Sequence, residues 1–452
     1  MNKWYNEAIF YHIYPFGLLG VDKENKEMIA EHRVEELLKW LPHLQELSVS
    51  AIYIGPLFES NTHGYDTRDY KLVDKRIGDN QDFKEYVRQC HAVGIKVVVD
   101  GVFNHTGRDF FAFRDLRERK EASKYKDWYR DVNFNASSPY GDSFSYSAWR
   151  GCYELANLNL YNTEVTNYLL EVIRFWIREF DIDGIRLDCA DCLTYDFMKQ
   201  MREITQLEKE DFWLMGEVIH GDYSRWVNEE QLHSVTNYEL HKGLYSGHND
   251  HNYFEIAHTI RRLFDEKDGL CKNAILYSFV DNHDVDRIAS KVSNKAHLIP
   301  IYALLYTLLG IPSIYYGSEW GIEGRKENNS DDRLRPAIKI EDLLVTNNNP
   351  KLTEFICILG KIKRENQTIL NGRYKELVLT NRQYAFARYT NEAAMITIVN
   401  NDDNESTVYV PLSFDFEKLA AKNVITMETV EIQNNQLRIS IKGNSAIIIK
   451  IN

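Results

Sequence analysis

VTNYLLEVIRFWIREFDIDGIRLD, residues 165 to 188, holds two periodicities end to end. Its first part, to Phe180, repeats apolar side chains at helical spacing, and DGIRLD at 183 to 188 has the character of a short, fully buried strand. The same kind of strand recurs as IFYHIY at 9 to 14, AIYIG at 51 to 55, IKVVVD at 95 to 100, FWLMGE at 212 to 217, AILYSFV at 274 to 280 and IPSIYYG at 311 to 317. SVTNY at 234 to 238 supplies an eighth. Helix-period segments stand between them, such as AHLIPIYALLYTLLG at 296 to 310 and VEELLKWLPHLQEL at 34 to 47, where Val34, Leu37, Leu38, Leu41 and Leu44 line one face. Strand alternating with helix predicts a parallel α/β architecture, and eight strands favour a closed (β/α)₈ barrel over an open sheet.

Two stretches break the rhythm. From His105 to about Leu158 there is no clean strand-helix unit, only a polar, charged and aromatic excursion after the third strand. It is expected to form a small inserted domain and one wall of a cleft, with some of Trp128, Tyr129, Phe144, Tyr146 and Trp149 as platforms for a ligand. Beyond residue 371 short alternating runs follow, among them YAFARYT, AAMITIVNN, STVYVPL, VITMETVEI, LRISIKG and AIIIKIN. These predict an all-β C-terminal domain, most simply a sandwich. The expected division is 1–104 with 159–370 for the barrel, 105–158 for the insertion and 371–452 for the sandwich.

With Lys+Arg 54 against Asp+Glu 67, the net charge of −13 argues against nucleic acid or an anionic membrane as partner and leaves a neutral ligand. There is no apolar run of transmembrane length, and the start, MNKWYNEAIFYHIYP, lacks the pattern of a secretory signal, so a cytoplasmic protein is expected. Six scattered cysteines fit reduced, mostly buried thiols. Cys189 and Cys192 form a C-x-x-C without a second pair at metal-ligand spacing, and their place at a strand end is expected to aim them apart, with no disulfide.

In a parallel barrel, polar residues at the C-terminal ends of the strands are the ones positioned for catalysis. Here the third strand ends in Asp100 with Asn104 and His105 beyond it, the fourth in Arg186 and Asp188, the fifth in Glu217, and the seventh in Asp281, Asn282, His283 and Asp284. His63, Gly64, Tyr65 and Asp66 lie in the loop after the second. One such carboxylate would read as a helix cap. Four strands ending in carboxylates flanked by Arg and His are better explained by chemistry, because buried charges are costly unless paired. Paired carboxyls suit glycoside hydrolysis: one ionised oxygen reaches the anomeric carbon while a protonated group serves the leaving oxygen.

DGVFNH at 100 to 105, GIRLD at 184 to 188, LMGEVIHGDYSRW around Glu217 and FVDNHD at 279 to 284 resemble, in order, the four signature regions of the α-amylase family of glycoside hydrolases. NTHGYDTRDY at 61 to 70 and GIPSIYYGSEWG at 310 to 321 resemble further regions of that family. The resemblance implies Asp188 as nucleophile, Glu217 as acid/base and Asp284 as transition-state stabiliser, with Arg186 orienting Asp188. It further implies that His105 and His283 bind sugar hydroxyls, that Tyr65 stacks on the sugar, and that Asp100 and Asp66 organise the site from behind. In SDDRLRP, Asp332 with Arg333 or Arg335 would grip the next sugar. Asn104 stands where many members ligate a structural calcium; no organic cofactor is implied.

ELANLNLYNTEVTNYLL and the GEVIHGDYSRW segment are most similar to the neopullulanases, cyclomaltodextrinases and maltogenic amylases. The N-terminal domain of that group is not expected, because Ile9 already begins the first barrel strand; Cys192 stands where the group has a glutamate four residues beyond the nucleophile, and Ile219 where it has a tryptophan. Three activities are therefore weighed: hydrolysis of α-1,4 bonds, with α-1,6 bonds as an extension, in maltodextrins; α-glucan transglycosylation on the same site; and a catalytically silent sugar-binding protein, which the complete set of Asp188, Glu217 and Asp284 disfavours.

Overall fold

The computed structural model describes residues 3–452 except 27–28, 328–329, 415 and 417–419. Eight parallel strands form one sheet: β1 (Phe10–Ile13), β2 (Ala51–Ile54), β3 (Lys96–Gly101), β4 (Gly184–Leu187), β5 (Trp213–Gly216), β6 (Ser234–Val235), β7 (Tyr277–Phe279) and β8 (Ile311–Tyr315). Their order is β6-β5-β4-β3-β2-β1-β8-β7, and a parallel bridge between Thr236 and Tyr277 joins β6 to β7 and closes the barrel. Helices wrap the outside, among them Asn80–Ala92, Thr163–Phe180, Tyr195–Glu208 and Leu298–Thr307.

Strand alternation decides what the barrel contains. Phe10, Tyr53, Val98, Trp213, Met215, Tyr277, Phe279 and Ile311 form one apolar cluster, apart from the larger core that holds Tyr11, Ile52, Val97 and Ile185. Two residues beyond Phe10 and Val98 on the same strand faces come His12 and Asp100, and two beyond Gly184 comes Arg186. A period of two therefore stacks an apolar lower layer beneath a polar upper one.

The lower rim is tied by charge. Asp183, 1% exposed, accepts the Val97 N–H at 2.9 Å and contacts His91 at 2.6 Å, Lys96 at 3.0 Å and Lys209 at 2.9 Å. Burial opposes its charge, but His91, Lys209 and the Val97 amide outweigh it and hold the carboxyl well below its usual range. Because the folded value is depressed, this stabilisation is complete above about pH 4 and is lost as pH falls toward the native value. Asp183→Ala strands the partners and is expected to cost about 3–5 kcal/mol in denaturant unfolding near pH 7, with the deficit shrinking in acid.

The segment at 34 to 47 is one amphipathic element in two forms, a 3₁₀ stretch Arg33–Trp40 and an α-helix Leu41–Glu46. Pro42 has no N–H to return to Leu38, which separates them. After β3 the chain makes a small three-stranded sheet (His105–Gly107, Cys152–Asn157, Ala148–Trp149) and the helix Phe111–Arg119. The C-terminal part stacks a six-stranded sheet on a three-stranded one, with Ile396, Ile398, Ile449, Val408, Val410 and Ile439 among the residues packed between. VITMETVEI is not one strand. The Asn423 side chain accepts the Ile425 N–H at 3.0 Å, and the resulting turn leaves only Thr429–Val430 and Ile432–Gln433 extended.

Candidate active site

Parallel register places Asp100 beside Arg186 on neighbouring strands, with Asp188 and Glu217 one step past the ends of β4 and β5. Arg186, 3% exposed, is the hub: Nη1 lies 2.8 Å from Asp100 Oδ1 and 3.0 Å from Asp188 Oδ1, and Nη2 lies 3.0 Å from Glu217 Oε2. Gly55 makes room for this, since a Cβ there would come within 2.3 Å of Asp100 Cβ. Tyr53 and Tyr65 both donate to Asp100 Oδ2, at 2.9 and 3.1 Å, so Asp100 is spent on holding other groups.

Just past Asp188, Cys189 adopts φ 35, ψ 55 and turns the chain into a short 3₁₀ segment, Ala190–Cys192. The Cys189 N–H donates to Glu217 Oε2 at 3.1 Å, and its thiol donates to Asp188 Oδ2 at 3.3 Å. Tyr238 donates to Glu217 Oε1 at 3.5 Å. Burial pushes the Asp188 carboxyl up, Arg186 pulls it down, and Glu217 and Asp100 add to the rise.

Asp284, on the opposite side of the mouth, contacts His283 Nε2 at 3.0 Å and accepts from Arg335 Nη2 at 2.8 Å. Burial opposes its charge, but His283 and Arg335 prevail and keep it ionised below the usual carboxylate range. His283 Nε2 also meets the Tyr65 hydroxyl at 2.5 Å. His105 is 1% exposed; its Nδ1 faces the Asn104 amide at 3.2 Å, its Nε2 makes no hydrogen bond of ordinary geometry among the described residues, and burial, helped by His63 and opposed by the Tyr65 backbone, brings it down to about 3. Asp188, Glu217, Asp284, Arg186, Tyr65, His105, His283 and Arg335 therefore converge.

Other expectations need correction. Asp332 is absent from the cluster: it is exposed and pairs with Lys23 at 2.5 Å, whereas its neighbour Asp331 meets Arg335 at 3.0 Å. Arg333 pairs with Glu327 instead. Asp281 is also apart, anchoring the Ile288 N–H at 2.8 Å and the Ser318 hydroxyl. The Asn104 amide is engaged with Asn157 at 3.2 Å and with His105, and among the described residues no group of three His, Cys, Asp or Glu ligand atoms gathers around it. Trp128, Tyr129, Phe144 and Tyr146 are buried in the core of the insertion; Trp149 alone of the five is half-buried, its ring 5.9 Å from that of His105. Cys189 and Cys192 do not aim apart either. Both thiols are free; a 3₁₀ turn puts positions three apart on one side, and the nearby Cys189 side chain draws the Cys192 thiol down.

Sequence reading missed His12, whose ring stacks on Tyr53 at 4.2 Å and lies 5.1 Å from His283, and Tyr238, which reaches Glu217. A histidine inside the apolar run IFYHIY was the available signal for the first. Tyr238 gave none, because SVTNY read as strand while Tyr238 opens the helix Tyr238–Asn249.

A family model for the alpha-amylase catalytic domain matches residues 35–353. The chain is 30% identical to a cyclomaltodextrinase of Thermoanaerobacter pseudethanolicus over 99% of its own length and 78% of that protein, and 29% identical, with the same coverages, to neopullulanase 2 of Thermoactinomyces vulgaris. The solved debranching enzyme of Nostoc punctiforme superposes with a TM-score of 0.84 at 26% identity, covering 99% of this chain and 100% of that one.

Proposed function

This chain belongs to the α-amylase family, and from that membership and the carboxyl pair on Arg186 we propose that it is a retaining glycoside hydrolase cleaving α-1,4-glucosidic bonds in maltodextrins. One observation carries the reading. Asp188 and Glu217 each meet a terminal nitrogen of the same guanidinium at 3.0 Å, which suits the close carboxyl pair, about 5–5.5 Å apart, of a retaining enzyme better than the wider pair of an inverting one.

Arg186 holds Asp188 Oδ1, leaving Oδ2, touched among the described residues by a weak thiol donor alone, to attack the anomeric carbon. Glu217 delivers a proton to the departing glycosidic oxygen, and the sugar becomes an ester of Asp188. Water then attacks the anomeric carbon, Glu217 takes its proton, and the Asp188 carboxylate is released. Asp284, kept ionised by His283 and Arg335, opposes the positive charge that develops on the sugar ring. His105 Nε2 is placed to meet a sugar hydroxyl, Tyr65 to lie against the ring and Trp149 to border the insertion side. Arg335 acts on the sugar through Asp284, with Asp331 as its second carboxylate. No organic cofactor enters this chemistry, and no step runs through calcium.

Tolerance of α-1,6 bonds is part of the proposal, supported by similarity to proteins named neopullulanase and debranching enzyme. Cytoplasmic residence is too, supported by six free thiols; among the described residues no helix is long and apolar enough to cross a membrane. Double displacement predicts that maltooligosaccharides release the α-anomer first, followed by NMR before mutarotation, with transfer products appearing if an added sugar outcompetes water. Initial β-anomer overturns the reading.

A further inference from the structure

Cys189 adds to the reaction centre a group that glycoside hydrolysis does not need. Ligand atoms of His105, Asp188 and Cys189 all lie within 4.8 Å of one another, and all three residues are buried. In a tetrahedral zinc site, bond lengths of about 2.0–2.3 Å place ligand atoms roughly 3.3–3.8 Å apart, so small side-chain rotations would close the triad onto an ion. The Asp188 oxygen facing the thiol, at 3.3 Å, is Oδ2, the one Arg186 does not hold. His105 is fixed by its Nδ1 side, while among the described residues Nε2 makes no hydrogen bond of ordinary geometry. Metal on Nε2 leaves the ring proton on Nδ1; the Asn104 and Asn157 amides, both turned end for end, then offer the Asn104 oxygen as its acceptor and keep their own contact, with the Ser147 hydroxyl donating to Asn157.

Charge favours a cation. Asp100, Asp188 and Glu217 all sit within 3.0 Å of the single guanidinium of Arg186, so negative charge exceeds positive before any thiol ionises. The left-handed backbone of Cys189 and its N–H bond to Glu217 hold the sulfur in place. The donor set of imidazole nitrogen, carboxylate oxygen and thiolate sulfur selects a thiophilic divalent ion over calcium or magnesium.

We propose that His105, Asp188 and Cys189 form a binding site for a thiophilic divalent cation of the zinc type, and that its occupancy reversibly closes the reaction centre. Binding exchanges the Cys189 thiol proton, released to solvent, for a metal–sulfur bond, with no change of oxidation state. Closure rests on the proposed roles of Asp188 and His105; binding does not.

Cobalt(II) titrated into the reduced, full-length protein without substrate tests binding alone. A thiolate-to-cobalt charge-transfer band in the near ultraviolet is expected, with zinc displacing the cobalt. Cys189→Ser, which keeps a donor toward Asp188, should lose the band and bind zinc on the order of 100-fold more weakly. His105→Gln should keep the band and also weaken zinc binding, and saturating maltooligosaccharide should compete with the metal in the native protein. Zinc should stop turnover, and a chelator should restore it. Absence of the band, its persistence in Cys189→Ser, or unchanged zinc affinity in either variant overturns the site. Should Cys189→Ser lose its native circular dichroism, His105→Gln and sugar competition decide. If metal binds as expected but the protein hydrolyses no glucan, the hydrolase reading fails and the metal site stands.

Discussion

Asp188→Ala is expected to lower turnover of maltooligosaccharides on the order of 10⁴ to 10⁶-fold, the scale seen when a covalent nucleophile is removed from an enzyme that otherwise keeps its site. Fold should survive, because Arg186 retains Asp100 and Glu217 as partners, both within 3.0 Å. Sugar binding should survive too, since Tyr65, His105, His283 and Asp284 are held by contacts that do not pass through Asp188. Calorimetric titration with maltooligosaccharide should therefore give an affinity close to native. A variant that binds sugar and turns it over within tenfold of native would remove Asp188 from the chemistry.

Glu217→Gln has a different signature. The amide keeps the shape and can still meet the Cys189 N–H and Arg186 through its oxygen, while losing the proton it must give and take. Rates on natural dextrins should fall about 10² to 10⁴-fold, the usual range for general acid–base catalysis, with little change in binding. A substrate whose leaving group needs no proton restores the first step only. Near-normal turnover of maltooligosaccharides by this variant would pass the role of donor to another carboxyl, Asp284 being next at the mouth.

The barrel was legible because two periodicities carry it: a period of two that sends Phe10, Val98 and Trp213 inward, and the helical period of segments such as 165 to 180. The reacting groups were legible for a related reason. Strand ends are fixed points, so a carboxylate one step past β4 or β5 has only one place to go. Legibility failed where no period constrains the chain. In SDDRLRP, Asp331 and Asp332 differ by one position in a loop, and only folding sends one to Arg335 and the other to Lys23. In the insertion, five aromatic side chains looked alike, yet Trp128, Tyr129, Phe144 and Tyr146 are what its small core is made of, and Trp149 borders the site. The paired aim of Cys189 and Cys192 depended on a left-handed residue at 189, which non-glycine sequence does not announce.

The most direct test of the account is the mass of the peptide containing residue 188 after Glu217→Gln is mixed with a maltosyl substrate bearing an activated leaving group. Leaving-group release should be fast for one equivalent and then stall, and the peptide should gain one maltosyl unit through an ester to Asp188. Asp188→Ala, treated alike, should gain none. A burst with the sugar attached to another carboxylate, or steady release of β-anomer with no adduct at all, would contradict double displacement through Asp188.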